Sequence, residues 1–277
     1  MTDQAEKARD FREMHTPGDP FVLPNAYDVG SAKMLAALGA DAIATTSAGF
    51  AFTVGEPDGC KVTRDQMLDH CEDVCRAVSL PVSADLENGY ADDPAGVAEM
   101  IELAAEVGLV GCTLEDTTME TAKPSYDFDI AVARMEAAVE AAEALPFEFT
   151  VCARADGVMI GSYDLDEAIR RIQAYEEVGA HCVYIPMPAS MEDLKLICAS
   201  VGVPVNALCA GPFVKYSKVD FAKAGAARIS VGSALSRVTH KIVHDIGKAM
   251  IENGDFSALA LGMSGTQVDA LLAKGSA

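Results

Sequence analysis

Val82-Ser-Ala-Asp-Leu-Glu-Asn-Gly89 has the pattern of an apolar β-strand that stops at two carboxylates and a turn. A helical pattern over 94–107 follows it, ends at Gly108 and leads into a second apolar strand over 111–116. A strand, a helix that ends in Gly and another strand are typical of parallel strands joined by a crossover helix. The stretch therefore predicts one β–α–β unit.

The same unit recurs along the chain. Eight strands are predicted over 21–26, 42–47, 82–87, 111–116, 149–156, 182–187, 203–208 and 228–232. A helix is predicted after each, over 31–38, 63–77, 94–107, 129–143, 164–178, 190–199, 217–224 and 234–253. Eight such units favour an α/β fold, a (β/α)₈ TIM-type barrel, as one domain over 1–277. A doubly wound open sheet is the alternative, although no Gly-x-Gly-x-x-Gly follows the first strand.

Two segments flank the predicted barrel. A leading helix is expected within 1–20, and a further short helix within about 256–273. The C-terminal helices, 234–277, exceed what a barrel needs, and we expect them to form an oligomer contact.

Composition limits the classes of partner and compartment. The 277 residues carry a formal net charge of −21, which disfavours nucleic acid and anionic membranes as partners. No apolar run is long enough to cross a bilayer, and the N-terminus lacks a signal-peptide pattern. The eight cysteines include no Cys-x-x-Cys pair and are expected to be small buried apolar residues, so we expect a cytoplasmic protein.

Carboxylates follow several predicted strands, where a barrel carries its chemistry. Asp85 and Glu87 are spaced i, i+2, which on a strand points both side chains to one side. Like charges so placed favour a bound cation, and all-oxygen ligands suit Mg²⁺ or Mn²⁺. Glu115, at the end of the next strand, would reach that metal directly or through water. The alternative is a solvated acidic turn at 85–87.

Arg154 is the one basic residue at a predicted strand end. Its planar fork of donors suits a substrate carboxylate, so we predict that it binds and orients substrate. The alternative is that Arg154 only forms an ion pair with Glu115 or Asp116. No strand end carries Lys, which disfavours Schiff-base chemistry.

Backbone N–H groups after the second strand form a second candidate contact with substrate. Thr46, Ser47 and Ala48 precede Gly49 and would present these donors to an anion, unless the segment is an ordinary strand-to-loop turn. Asn206, on the seventh strand, is the remaining predicted substrate-binding residue.

The long loops over 48–62 and 117–128 are candidates for walls and lids of the site. Asp58, in the first, would reach the water shell of the metal, or is a turn residue before Gly59. The proton donor is open between Lys123, Tyr126 and water. Histidines fall on helices or at strand starts, and we expect His15 and His70 at the surface.

Several short motifs together resemble the isocitrate lyase / phosphoenolpyruvate mutase superfamily, over about 18–245. These motifs are Pro24-Asn-Ala-Tyr-Asp, Thr45-Thr-Ser-Ala-Gly-Phe with Gly55-Glu-Pro-Asp58, Asp85-Leu-Glu-Asn-Gly-Tyr, Leu114-Glu-Asp, Ala153-Arg-Ala-Asp and Ile229-Ser-Val-Gly-Ser-Ala. The resemblance implies a (β/α)₈ barrel, Mg²⁺ or Mn²⁺, a 2-oxo or 2-hydroxy carboxylate as substrate, and enolate chemistry. It also implies a homotetramer with exchange of the last helices.

By the same resemblance Asp85 binds the metal, with Glu87, Glu115 and Asp58 around it, and we assign catalytic roles to Glu115, Asp58 and Arg154. Arg154 and the 46–48 segment would hold the substrate carboxylate and the 2-oxygen. The chain departs from the family in having Glu87 where Asp is usual. Its loop over 117–128 lacks both the Lys-Lys-Cys-Gly of the lyases and the Asn of the mutases.

These departures favour a lyase without a lid acid, similar to oxaloacetate decarboxylase, which cleaves a C–C bond alpha to the carbonyl of a 2-oxo acid. The alternatives are C–P chemistry on a phosphonopyruvate-like acid and cleavage of a methylisocitrate-like substrate. A different class of function, a non-catalytic sensor of 2-oxo acids, also fits the sequence.

Overall fold

The computed structural model describes residues 3–59, 61–118 and 124–277. Within these residues nine parallel strands form one sheet in the order β1-β9-β8-β7-β6-β5-β4-β3-β2. The strands are β1 (Phe21–Leu23), β2 (Asn25–Ala26), β3 (Ile43–Thr45), β4 (Val82–Asp85), β5 (Gly111–Glu115), β6 (Thr150–Arg154), β7 (Cys182–Tyr184), β8 (Val205–Leu208) and β9 (Arg228–Ser230). The predicted TIM-type barrel is confirmed.

The first predicted strand closes the ring. It is divided into β1 and β2 at Pro24, which has no N–H to donate to a neighbouring strand. β1 pairs with β9, and β2 pairs with β3, so the two halves of one short segment join the ends of the sheet. β1 and β2 together therefore take the place of one strand in an eight-stranded barrel, as predicted for 21–26.

Helices surround the sheet. In the described residues they are α1 (Asp3–Glu13), α2 (Val29–Ala37), α3 (Ser47–Thr53), α4 (Arg64–Ala77), α5 (Pro94–Glu106), α6 (Phe128–Glu143), α7 (Gly157–Ile160), α8 (Leu165–Glu177), α9 (Met191–Ala199), α10 (Lys218–Ala224), α11 (Ala234–Asn253) and α12 (Gly265–Lys274). Two 3₁₀ helices lie at Gly211–Lys215 and Ser257–Leu261. Side chains cap many of the N-termini, such as Thr63 before α4 and Asp93 before α5.

Small apolar residues let the helices approach the barrel closely. One continuous core of mainly Ala, Val, Leu and Ile lies between the sheet and its helices. Gly111 allows β5 and β6 to approach closely, because a Cβ there would lie 2.7 Å from the Thr150 carbonyl oxygen. A side chain at this position would force the two strands to shift apart.

α1 covers the N-terminal end of the barrel. Phe11 packs edge-on against His15 and Phe21, and the two phenylalanines form part of a second apolar cluster. Arg12 donates to the Phe149 carbonyl at 2.8 Å and so ties α1 to the start of β6. His15 and His70 are both buried, which corrects the expectation that they lie at the surface. The other end of the barrel, where the strands finish, stays open to ligands.

Two strand ends differ from the sequence-based prediction. β4 stops at Asp85, and Glu87 has a left-handed backbone with φ of 48°, so these two residues do not share one regular strand. β3 stops at Thr45, and Ser47 opens the short helix α3 where a loop was expected. In both places the chain turns sharply as it leaves the barrel, which ends the strand early.

The C-terminal region projects from the barrel. Ser236 is the one residue of α11 that is buried, while Val243 is 71% exposed and Ile251 is 86% exposed. α12 returns to pack on α2, where Lys274 donates to the Ala37 carbonyl at 2.6 Å. Within the described chain, no helix has both the length and the apolar character needed to cross a membrane.

Candidate active site

A cavity of about 480 Å³ opens at the C-terminal ends of the strands. Among its described lining residues are five carboxylates and two guanidinium groups, and none is His, Cys or Lys. The charged members are Asp58, Asp85, Glu87, Glu115, Asp156, Arg154 and Arg228. The structure thus brings the predicted metal-binding and catalytic residues to one cavity, although Glu87 reaches it from a turn and not from a strand.

Asp85 is held by groups from three neighbouring strand ends. Its Oδ2 accepts from the Ser47 N–H at 3.1 Å and from Ser47 Oγ at 2.8 Å. Its Oδ1 accepts from Thr113 Oγ1 at 3.3 Å and from Arg154 Nη1 at 2.9 Å. Because each carboxylate oxygen accepts two hydrogen bonds, the orientation of the Asp85 side chain is fixed.

Arg154 lies among three carboxylates. Its Nη2 lies 3.0 Å from Glu115 Oε2, and its Nε and Nη2 donate to the two oxygens of Asp156 at 3.1 and 2.6 Å. Burial opposes the charge on Arg154, but Asp156, Glu115 and Asp85 outweigh burial and raise its pKa. Of the two ion pairs that the sequence suggested for Arg154, the one with Glu115 is present and the one with Asp116 is not. The binding of a substrate carboxylate by Arg154 stays a prediction.

Burial and nearby negative charge raise the pKa values of three acids of the cavity, Glu87, Asp58 and Glu115. Burial, together with Asp85, Glu115 and Asp58, raises the pKa of Glu87 to about 8. Burial and the neighbouring Asp85 raise the pKa of Asp58 as well. Burial raises the pKa of Glu115, although Arg154 opposes the shift. Negative charge is therefore in excess in this cavity, even with Arg154 in its centre.

The segment after β3 contributes in a different way from the prediction. Thr46 caps α3, since its Oγ1 accepts from the Gly49 N–H at 3.3 Å. The Ser47 N–H is already donated to Asp85, whereas Ala48 lines the cavity and its N–H lies in the first turn of α3, where helical amides lack a partner within the helix. Of the three predicted donors, Ala48 is the best placed for an anion.

Asn206 lies below the cavity. It is buried and absent from the described lining, donates to Ser230 Oγ at 2.9 Å and accepts from Arg228 Nε at 2.8 Å. Its role in substrate binding stays a prediction. What Asn206 does in this structure is orient Arg228, whose guanidinium lies at the floor of the cavity.

Asp116 faces away from the cavity. Because side chains alternate along β5 and its continuation, Glu115 points into the barrel and Asp116 points toward the helices. Its Oδ2 accepts from Arg171 Nη1 and Tyr163 Oη, both at 2.7 Å, and its Oδ1 accepts from the Asp156 N–H at 2.9 Å. Asp116 thus supports the segment that carries Asp156 and is not itself a site residue.

Three residues of the lining, Asp156, Tyr184 and Arg228, were not predicted from the sequence to have a role. Asp156 follows Arg154 by two residues and holds its guanidinium with both oxygens. The Arg-x-Asp spacing at a strand end was the available signal for this pair. Of the suggested proton donors, Tyr126 is tied to Asp92 and lies outside the described lining, while Lys123 falls outside the described residues.

The donor chemistry fits a hard divalent ion. Asp85, Glu87 and Glu115 offer carboxylate oxygens only, and the raised pKa values of Glu87 and Glu115 reflect burial and repulsion that a bound cation would relieve. In the described chain no three acidic, His or Cys side chains are yet grouped closely enough to hold an ion. Arg154 occupies the space between these acids, so metal binding requires their side chains to turn.

Comparisons with known proteins agree with this fold. A solved structure from Burkholderia cenocepacia J2315, described provisionally as a lyase/mutase, is 41% identical, covers 99% of this chain and 98% of that chain, and gives a TM-score of 0.94. The protein Rv1998c of Mycobacterium tuberculosis is 33% identical over 80% of this chain and 81% of its own length. An oxaloacetate decarboxylase of Paraburkholderia xenovorans is 26% identical over 94% of this chain and 87% of its length.

The cavity lies where TIM-barrel enzymes carry their active sites, and the proteins similar to this chain include lyases, so the chain is an enzyme of a lyase and mutase superfamily. The family model described as phosphoenolpyruvate phosphomutase matches residues 11–251. The chain therefore belongs to this family and to the isocitrate lyase / phosphoenolpyruvate mutase superfamily, which confirms the resemblance seen in the sequence.

Proposed function

We propose that the protein is a Mg²⁺- or Mn²⁺-dependent lyase that removes CO₂ from a 2-oxo acid similar to oxaloacetate. The observation that carries the proposal is the excess of carboxylates around one guanidinium in a cavity at the strand ends. The 26% identity to an oxaloacetate decarboxylase over nearly the whole chain supports it. The free, mostly buried cysteines are compatible with a reducing, cytoplasmic setting.

Asp85, Glu87 and Glu115 would hold the ion, and Asp58 would bind its water shell. When bound, the ion would draw electron density from the 2-oxo group. Asp85 is oriented for this role by Ser47 and Thr113, whose hydrogen bonds fix both of its oxygens. Residues that hydrogen-bond to a metal ligand fix its orientation and so affect the affinity for the metal.

Arg154 would orient the substrate carboxylate. Its side chain is 11% exposed and is bound by Asp156, so the guanidinium has little freedom to move. The Ala48 N–H would donate to the oxygen on which charge develops as CO₂ leaves. Together these groups bind one end of a short oxo acid and leave the third carbon toward the centre of the cavity.

Decarboxylation fits this site better than aldol-type cleavage. Aldol-type cleavage needs a positioned base that takes the hydroxyl proton of the departing fragment, and such a group is worth roughly 10²–10⁴-fold in rate. CO₂ departs without a proton. The family pattern of a Cys lid, which serves as the acid in the lyases, is not found in the sequence over 117–128.

C–P chemistry is the second candidate, because the matching family model is named for a phosphomutase. A panel of oxaloacetate, phosphonopyruvate and methylisocitrate, each assayed with Mg²⁺ and with Mn²⁺, separates these reactions. Release of pyruvate from oxaloacetate that depends on the metal supports the proposal. If oxaloacetate is not turned over with either metal, the proposal is rejected, and Mn²⁺ with oxalate then tests whether the cavity only binds such acids.

We also propose that the C-terminal region joins subunits, as a homotetramer with helix exchange. Apolar side chains are exposed along α11 and the segment after it, including Val243, Ile251 and Leu261. Exposed apolar side chains in such number are typical of a protein interface. Val243, Ile251 and Leu261 are not among the residues that line the cavity, so assembly and chemistry can be tested with different variants.

A further inference from the structure

Tyr184 is the last residue of β7 and points into the barrel. It pairs in register with Arg154 on β6 and with Asn206 on β8. Residues in register on parallel strands point to the same face of the sheet, and Arg154 faces the cavity. Tyr184 accordingly lines the cavity, although it is only 5% exposed.

A guanidinium contacts this ring, in a cavity that also holds Asp156 and Asp85. Arg154 Cζ lies 5.2 Å from the ring centroid, within the range of a cation–π contact. Burial raises the pKa of Tyr184 and Arg154 lowers it, so the phenol is protonated and any phenolate would form beside a guanidinium. The negative charge of a Tyr184 phenolate would therefore be stabilised by Arg154.

The hydroxyl of Tyr184 makes no hydrogen bond to a described residue. Other buried tyrosines differ, since Tyr126 bonds to Asp92 and Asn88, and Tyr163 and Tyr175 bond to Asp116. Tyr90 has a fully buried hydroxyl without a partner, but it does not line the cavity. The Tyr184 hydroxyl is not among the fully buried atoms without a partner, so it is accessible from the cavity and free to contact a ligand there.

We propose that Tyr184 donates the proton that completes the reaction, a step that rests on the proposed function. Loss of CO₂ breaks the C3–C4 bond of the oxo acid and leaves its electron pair in an enolate. The enolate carbon C3 takes the proton of the Tyr184 hydroxyl, so the O–H bond breaks as the C–H bond forms. The phenolate that remains takes a proton from water that enters the open cavity.

Competing donors in the cavity are less suitable. Glu87 is assigned to the metal and would be ionised in that role, as would Asp85 and Glu115. The serine and threonine hydroxyls that line the cavity are much weaker acids than a phenol. Within the described lining, Tyr184 is the one phenol, and it stands between Arg154 and Arg228 along the register of the sheet.

Tyr184→Phe tests the proposal, because it keeps the ring and its contact with Arg154 and removes only the hydroxyl. The substrate for the test is 3-methyloxaloacetate in D₂O with Mg²⁺, whose product, 2-oxobutanoate, carries deuterium at C3. We expect the unaltered protein to give one C3 enantiomer in excess. We expect Tyr184→Phe to give racemic product and a kcat lower by roughly 10²–10⁴-fold, with oxalate binding unchanged.

Tyr126→Phe is the matched control, since it also removes a buried phenol hydroxyl but one outside the cavity lining. It should keep the stereochemistry of the product. A Tyr184→Phe protein that retains both the rate and the excess of one enantiomer overturns the proposal and leaves Glu87 as the donor to test.

Exchange of the pyruvate methyl protons with D₂O separates this proposal from the proposed function. The reverse of the proton transfer needs Tyr184 but no decarboxylation, and NMR follows it directly. If oxaloacetate is not turned over but pyruvate exchanges, and Tyr184→Phe abolishes that exchange, the decarboxylase proposal fails and the role of Tyr184 stands. If the unaltered protein shows neither reaction, both proposals fail.

Discussion

Arg154 and Asp85 form an ion pair across the width of one strand, with Arg154 Nη1 2.9 Å from Asp85 Oδ1. Asp85 ends β4 and Arg154 ends β6, so β5 lies between them and contributes Glu115 to the same guanidinium. Arg154, which is predicted to bind substrate, therefore contacts Asp85 and Glu115, which are predicted to bind the metal. A bound substrate and a bound metal would compete for these contacts, so we expect Arg154 to be the position of the site that is most sensitive to substitution.

Arg154→Lys should remove most of the activity without removing the charge. An ammonium group is a point charge and cannot bridge Asp85, Glu115 and Asp156 with the planar fork that Arg154 provides. We expect kcat/KM for oxaloacetate to fall by about 10²-fold or more. Pyruvate formation measures the effect. Arg76→Lys, at an exposed ion pair on α4, is the control, and equal activity of the two variants would exclude a role for Arg154 in binding.

Ser47→Ala should weaken metal binding. The Ser47 hydroxyl donates to Asp85 Oδ2 at 2.8 Å and so fixes the orientation of the carboxylate. Loss of such a support typically costs about 10–100-fold in metal affinity. Titration with Mn²⁺, followed by calorimetry or by the EPR signal of the free ion, gives the affinity. Ser200→Ala, at the end of α9, should bind Mn²⁺ as the parent does, and an unchanged affinity in Ser47→Ala would place the metal elsewhere.

Asp116→Asn should destabilise the fold more than it alters the chemistry. It removes the carboxylate that the buried Arg171 contacts at 2.7 Å and leaves that guanidinium with Glu167 as its remaining acidic partner. Breaking a buried pair from one side costs about 3–5 kcal/mol. Urea unfolding measures the loss, and the double variant Asp116→Leu with Arg171→Met should regain part of it because the buried guanidinium is removed together with its carboxylate. A double variant less stable than Asp116→Asn would contradict this account.

His70 should make the stability of the protein depend on pH. Burial lowers the pKa of His70 to about 4 from the model-peptide value of 6.5, so the folded chain keeps this ring neutral where the unfolded chain protonates it. The stability that His70 contributes is therefore present above about pH 6.5 and is lost as the pH falls toward 4. Between these limits the loss approaches about 3 kcal/mol, at about 1.4 kcal/mol per pH unit.

His70→Phe isolates this effect. Phenylalanine keeps the stack on Phe50, whose ring centroid lies 4.0 Å away, and His70 Nε2 has no hydrogen-bond partner to lose. Urea unfolding at pH 7.0, 5.5 and 4.5 should show a shallower loss of stability in this variant than in the parent. His244→Gln, on the exposed face of α11, should follow the parent curve. Parallel curves for His70→Phe and the parent would mean that His70 is protonated in the folded protein.

Ile251→Glu should separate the proposed assembly into smaller species. Ile251 is 86% exposed on α11, so a charge there costs an isolated subunit little but is unfavourable in an apolar interface. Light scattering after size exclusion gives the mass of both proteins. Lys248→Glu, a charged position on the same helix, controls for the change in charge. A parent protein that is monomeric at micromolar concentration would contradict the proposed tetramer.

The sequence by itself determined the barrel and the location of its chemistry. The barrel could be predicted because its signals are local. Apolar strands, amphipathic helices and the glycines that end the helices are each recognised from residues close together in the sequence. The acids at strand ends could be placed at one rim because all parallel strands finish on the same side. The family followed from short motifs in a fixed order, which the match over residues 11–251 confirms.

Only the tertiary structure decided which of these side chains meet. Arg154 and Asp85 are 69 positions apart in the chain, and their contact depends on strand register and on closure of the ring at Pro24. The same closure points Glu115 inward and Asp116 outward, and it brings the unbonded hydroxyl of Tyr184 to the cavity. Strand periodicity states which residues share a face, but the face that becomes the interior is set by pairing between distant strands.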